Sequence, residues 1–115
     1  MKTLQELIAE TKASVHCLTP VAAKELMGEN PNTLRIDVRE PAEAAEKRVE
    51  GFINIPRGVL EMKIGELAKQ ADHPILLHCA TGGRAALASA ALAHMGYTQV
   101  HIVDCDCDEL IRSWS

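Results

Sequence analysis

Aromatic side chains are nearly missing from this chain: Phe52, Tyr97 and Trp114 are the only Phe, Tyr and Trp in 115 residues. So few rings leave little on which nucleic-acid bases could stack. A basic excess is missing too. Twelve Lys and Arg stand against sixteen Asp and Glu, for a formal net charge of −4. Nothing general therefore draws the chain to nucleic acid or to an anionic membrane surface. No apolar run approaches the ~20 residues of a membrane span. Lys2 is followed by Glu6 and Glu10 with no apolar leader core, so the expected location is cytoplasmic. Four cysteines, at 17, 79, 105 and 107, do not make the disulfide framework of a small secreted protein. No repeat, linker or low-complexity tract stands out, and the length suits one domain with a single core.

What the chain does carry is a strand, a loop and a helix around Cys79. Ile75 to Leu77 is a short apolar run set off by Pro74, as in a central parallel strand. From Ala85 to Met95 alanine and leucine dominate, and Gly96 supplies a helix stop. Cys79 falls between the two elements. In an open α/β sheet, ligands bind outside the carboxyl ends of the strands, which is where Cys79 would lie. Gly82 and Gly83 let the loop curl without a Cβ penalty, so its N–H groups can turn inward as an anion nest. A helix N-terminus adds partial positive charge, and Arg84 a permanent one at the rim. These surroundings favour the thiolate, the attacking form of cysteine. The plain alternative is a small buried hydrophobe. The glycine pair and Arg84 at this spacing favour the reactive thiol.

The rest of the chain alternates in the same way. Thr3 to Lys12 places Leu4, Leu7 and Ile8 at helical spacing, an amphipathic helix for the domain or a partner. Val15 to Leu18 reads as an edge strand. Thr19 and Pro20 open a helix over 21–27 as N-cap and first residue, with Gly28 closing it. Thr33 to Val38 is a second strand, Pro41 opens a short helix through Lys47, and Phe52 to Ile55 is a third strand. Leu60 to Ala71 reads as two short helical pieces broken at Gly65. Val100 to Val103 is the last strand. The expected fold is α/β: a mostly parallel five-stranded sheet with helices on both faces. Asp37 and Arg39 follow the second strand and should face the cleft of Cys79.

Three blocks carry a family resemblance. Cys79-Ala80-Thr81-Gly82-Gly83-Arg84 resembles the Cys-x-x-Gly-x-Arg active-site loop of rhodanese-like sulfurtransferase domains. Asp37-Val38-Arg39-Glu40-Pro41 is similar to that family's strand-ending block, and Gly51-Phe52-Ile53-Asn54-Ile55-Pro56 to its Gly-Ala-Ile-Asn-Ile-Pro block. The three occur in family order with family-like separations. The resemblance implies the rhodanese-like three-layer fold over 15–115, preceded by the helix of 1–14. It implies a sulfurtransferase in which Cys79 carries a persulfide and the backbone of Ala80, Thr81, Gly82, Gly83 and Arg84 holds its charge. Arg84, with Arg39, would orient the donor. For Arg39, a surface ion pair with Glu40 or Glu43 is the equal alternative. Asp37 would support the site by accepting loop N–H groups. No metal or organic cofactor is implied. The partners implied are a small-molecule sulfur donor and a thiol or cyanide acceptor, or a protein bearing a persulfide.

The chain departs from the family pattern in three places. Ala44 stands where an aromatic is common, and Lys47-Arg48-Val49-Glu50 replaces a Gly-His-Ile. A Gly-Gly turn is also missing near Asp104-Cys105-Asp106-Cys107-Asp108-Glu109. One Cys-x-Cys offers too few soft ligands for structural zinc. Cys105 or Cys107 could instead take sulfur from Cys79 or resolve it as a disulfide. The plainest reading is a capping aspartate and an acidic first turn of a last helix, with incidental thiols. Two other functions stay open. One is a persulfide carrier or binding module without turnover. The other is a cysteine phosphatase, whose loops place five residues between Cys and Arg where four stand here.

Overall fold

The structure, a computed structural model, describes residues 1–114. The sheet has five strands: β1 (His16–Leu18), β2 (Leu34–Asp37), β3 (Ile53–Asn54), β4 (Ile75–His78) and β5 (Val100–Val103). They lie in the order β1-β5-β4-β2-β3, and every pairing is parallel. Among the described residues there are six α-helices: α1 (Leu4–Lys12), α2 (Pro20–Glu29), α3 (Pro41–Glu46), α4 (Leu60–Leu67), α5 (Gly83–His94) and α6 (Cys107–Trp114). β4 is central and buried at all four residues, which is why its sequence shows an unbroken apolar run up to its last residue, His78.

Side chains alternate across β4. Ile75, Leu77 and, just past the strand, Cys79 join the core under α4 and α5, with Ile64, Ala85 and Leu92. Leu76 joins the opposite core with Ala23 of α2 and Leu110 of α6. Each side chain of this size buried from water stabilises the fold by about 1.5–3 kcal/mol. Alanines at 85, 86 and 88 are fully buried, and these small residues let α5 approach the sheet closely. α1 packs outside α5 rather than on the sheet.

Neither Gly28 nor Gly65 interrupts its helix as expected. Gly28 does not close α2, which runs through it to Glu29 and is capped at Asn30, whose N–H donates to Leu26 O. Gly65 does not break α4, whose single run holds Leu60 and Ile64 fully buried. A lone glycine costs a helix only about 1 kcal/mol, and packing of one apolar face outweighs that. Gly96 does stop α5, with φ +106°. Among the described residues, no helix is long and apolar enough to cross a membrane.

Candidate active site

The loop after β4 curls around the sulfur of Cys79. The N–H of Gly82 donates to Cys79 Sγ at 3.0 Å, and that of Ala85 at 3.3 Å. Gly82 makes the curl with φ +99°, a left-handed conformation that glycine adopts at no steric cost. Ala85 lies beyond the expected span of 80–84, because α5 begins at Gly83, two residues earlier than the alanine run suggested. Ala85 is therefore in the first turn, where N–H groups have no intrahelical partner. Cys79 is only 1% exposed, so any group that reacts with the thiol has to enter the loop to meet it. Ala80 and Thr81 border a cavity of about 350 Å³, with Arg39, Glu43, Lys47 and Cys107 among its other walls. A second hollow, about 210 Å³ beside Tyr97, lies at the amino end of β4, away from the thiol.

The two arginines are placed differently. Arg84 reaches across to α3 and binds Glu43 with both guanidinium ends, at 2.6 and 3.0 Å. Both side chains are 36% exposed. The guanidinium and the Glu40 N–H hold the Glu43 carboxyl down at about 2. Arg39 does not pair with Glu40 or Glu43. It is 2% exposed and binds Asp37 through Nε at 3.0 Å and Nη2 at 2.8 Å. Its Nη2 also donates to Lys47 O at 2.7 Å. The hydrogen bond to Asp37 raises the guanidinium above its ordinary value. Asp37 in turn takes its one loop N–H from Arg39, at 3.0 Å, rather than from residues 80–84. This compact i,i+2 ring forms because the chain turns sharply between β2 and α3 and brings both side chains under the cleft wall.

His78 points away from Cys79, as strand alternation requires. It is 1% exposed, edge-on to Phe52 at 4.7 Å, with Nε2 3.7 Å from Asp37 Oδ2. Burial pushes it below its ordinary value, so it is neutral at pH 7.

The acidic stretch after β5 caps α6. Asp106 accepts the Glu109 N–H at 2.7 Å, the geometry of an N-cap. The Cys107 N–H donates to Ala80 O at 2.9 Å, tying α6 to the thiol loop, and Lys47 pairs with Asp108 across the cleft. Cys107 borders the cavity, but burial pushes its thiol up. Burial, with nearby carboxylates, pushes Cys105 to about 11. Both are protonated at neutral pH and weak nucleophiles there. Among the described residues, no group of three or more His, Cys, Asp or Glu is placed to hold a metal ion.

The model of the rhodanese-like domain family matches residues 19–112. A sulfurtransferase of Allochromatium vinosum is 27% identical over 74 residues, 64% of this chain and 67% of its own length. A thiosulfate sulfurtransferase of Escherichia coli is 32% identical over 65 residues, 56% of this chain and 62% of its own. Among solved structures, the polysulfide-sulfur transferase homodimer of Wolinella succinogenes has a TM-score of 0.77 at 28% identity, covering 92% of this chain and 80% of that one. The family match runs from just after β1 into the last helix, the fold agrees with it, and the chain belongs to the rhodanese-like domains.

Proposed function

We propose that the protein is a sulfurtransferase that carries sulfane sulfur on Cys79. The observation that carries this reading is the Sγ atom accepting two backbone N–H groups, from Gly82 and Ala85. Preorganised donors of this kind favour an anion where it forms. The Cys79 thiolate attacks the outer sulfur of a donor such as thiosulfate. A new S–S bond forms, the donor's S–S bond breaks, and its electron pair leaves with sulfite. An acceptor thiolate or cyanide then attacks the outer sulfur of the Cys79 persulfide. The Cys79–S bond breaks and the thiolate returns. Such double displacement is covalent catalysis with ping-pong kinetics. Arg84 draws the donor anion to the rim, exchanging part of its bidentate grip on Glu43 for the donor's oxygens. A cytoplasmic setting suits a thiol of this kind, which must stay reduced between turnovers.

The test is intact mass after incubation with thiosulfate, for the native chain and Cys79→Ser. The expected result is a gain of one sulfur in the native protein, removed by cyanide and absent from the variant. No gain with thiosulfate, mercaptopyruvate or a protein persulfide would overturn the reading, and release of phosphate from an aryl phosphate would then put a phosphatase in its place. A gain of sulfur that persists in Cys79→Ser would move the site to Cys105 or Cys107.

A further inference from the structure

The thiol loop is braced by a helix that lies outside the family match. That match begins at residue 19, so all of α1 precedes it. Yet Ile8 Cδ1 stands 3.1 Å from where a Cβ on Gly83 would be. One turn later, Lys12 Nζ meets Asp104 Oδ1 at 2.7 Å. This ion pair rests on Gly82. A Cβ there would lie 2.8 Å from Asp104 Oδ1 and 3.2 Å from Lys12 Nζ. Asp104 is itself held at the end of β5, where its N–H donates to Leu18 O at 3.0 Å. The residue the pair lies beside, with no room left for a side chain, is therefore the one whose N–H lies 3.0 Å from Cys79 Sγ. From the other side, the Cys107 N–H holds Ala80 O.

Lys12 and Asp104 are both partly exposed, and a pair in that setting adds little to global stability. Its position against the Gly82 backbone gives it a different consequence. The glycine holds a left-handed turn that an unconstrained loop would leave readily. A donor displaced from its line to the sulfur loses most of its effect on the transferring group. We propose that Lys12 and Asp104 are positioning residues for sulfur transfer, acting through Gly82 on the persulfide at Cys79. The inference rests on the sulfurtransferase reading of Cys79.

The experiment compares full-length native protein, Lys12→Met, Asp104→Asn and Lys12→Arg. Thiosulfate-dependent persulfide formation is followed by mass, and steady-state kcat and KM by thiocyanate release from cyanide. Alkylation of the Cys79 peptide by iodoacetamide is timed in parallel, since it reads the thiol's surroundings whatever the natural substrate. The expected result is a loss of about tenfold in kcat and in alkylation rate for Lys12→Met and Asp104→Asn. KM should be unchanged, the unfolding midpoint close to native, and Lys12→Arg within twofold of native. Rates within twofold of native in both Lys12→Met and Asp104→Asn would overturn the inference, as would a loss in Lys12→Arg equal to that in Lys12→Met. If native protein takes no sulfur from any donor, the sulfurtransferase reading falls on that result alone, and the alkylation rates still decide the brace.

Discussion

Arg39 lines the cleft and Arg84 holds Glu43 on its wall; each grips one carboxylate, yet their surroundings separate them. The Asp37–Arg39 pair is 2% exposed on both sides, while Glu43–Arg84 is 36% exposed on both sides. Removing one member of a buried pair strands a charge without water and costs far more than the pair itself is worth. An exposed pair can open, exchange partners and close again at little cost. The first arginine is thus part of the wall, and the second is free to change partners. Motif position alone makes the two look alike.

The sharpest way to break this contrast is to truncate each arginine. Arg39→Ala leaves Asp37 buried beside neutral His78, and the Lys47 carbonyl without its donor. A loss of about 3–5 kcal/mol is expected, read from urea unfolding. Arg84→Ala should leave stability within about 1 kcal/mol of native and lower kcat/KM for thiosulfate by about 10–100-fold. If Arg84→Ala unfolds as readily as Arg39→Ala, or Arg39→Ala folds normally and loses only activity, the division of labour is wrong.

His78 sharpens the buried side. Its folded value is depressed by burial, so the unfolded chain binds a proton first as pH falls. The stability that neutral His78 contributes is whole above its ordinary value of 6.5 and is lost as pH drops below it. The slope of this loss is at most about 1.4 kcal/mol per pH unit. Urea midpoints of native protein should therefore decline between pH 7 and 5. His78→Gln, which has no imidazole to charge, should lose that part of the decline. An identical slope in the two would remove His78 from the account.

The sequence made the strand order of events around Cys79 legible because local signals agree there. Pro74, an apolar run, two glycines and an alanine helix all point to one strand–loop–helix unit, and the sheet and both helical layers follow from the same alternation. The partners of Arg39 and Asp37 were hidden for a different reason. An i,i+2 ring across a sharp turn has no periodic signature, and which carboxylate an arginine takes is settled by burial. Asp104 carried no signal either, since it meets Lys12 across 92 residues of chain. Glu43 was visible as a candidate partner for Arg39, but its bond is to Arg84, 41 residues away along the chain. The early start of α5 was masked by Gly83, a residue that propensity places outside helices. That shift of two residues is what brings the Ala85 N–H to the sulfur.

The smallest expected effect lies on the exposed side. Glu43 is held at about 2 against an ordinary 4.5, so its ionised form is favoured in the folded chain. The contribution of the Glu43–Arg84 pair is whole above 4.5 and is lost as pH falls toward 2. With both groups partly in water, solvent screening keeps it to about 1 kcal/mol or less. Native protein and Glu43→Gln should differ by a small constant amount in urea midpoint from pH 7 to pH 5, and the two curves should merge toward pH 2. Raising salt to about 1 M, where the screening length is ~3 Å, should shrink the difference at pH 7. A difference of several kcal/mol, insensitive to salt, would mean that Glu43–Arg84 is as much a part of the wall as Asp37–Arg39. Arg84 would then have no freedom with which to greet a donor.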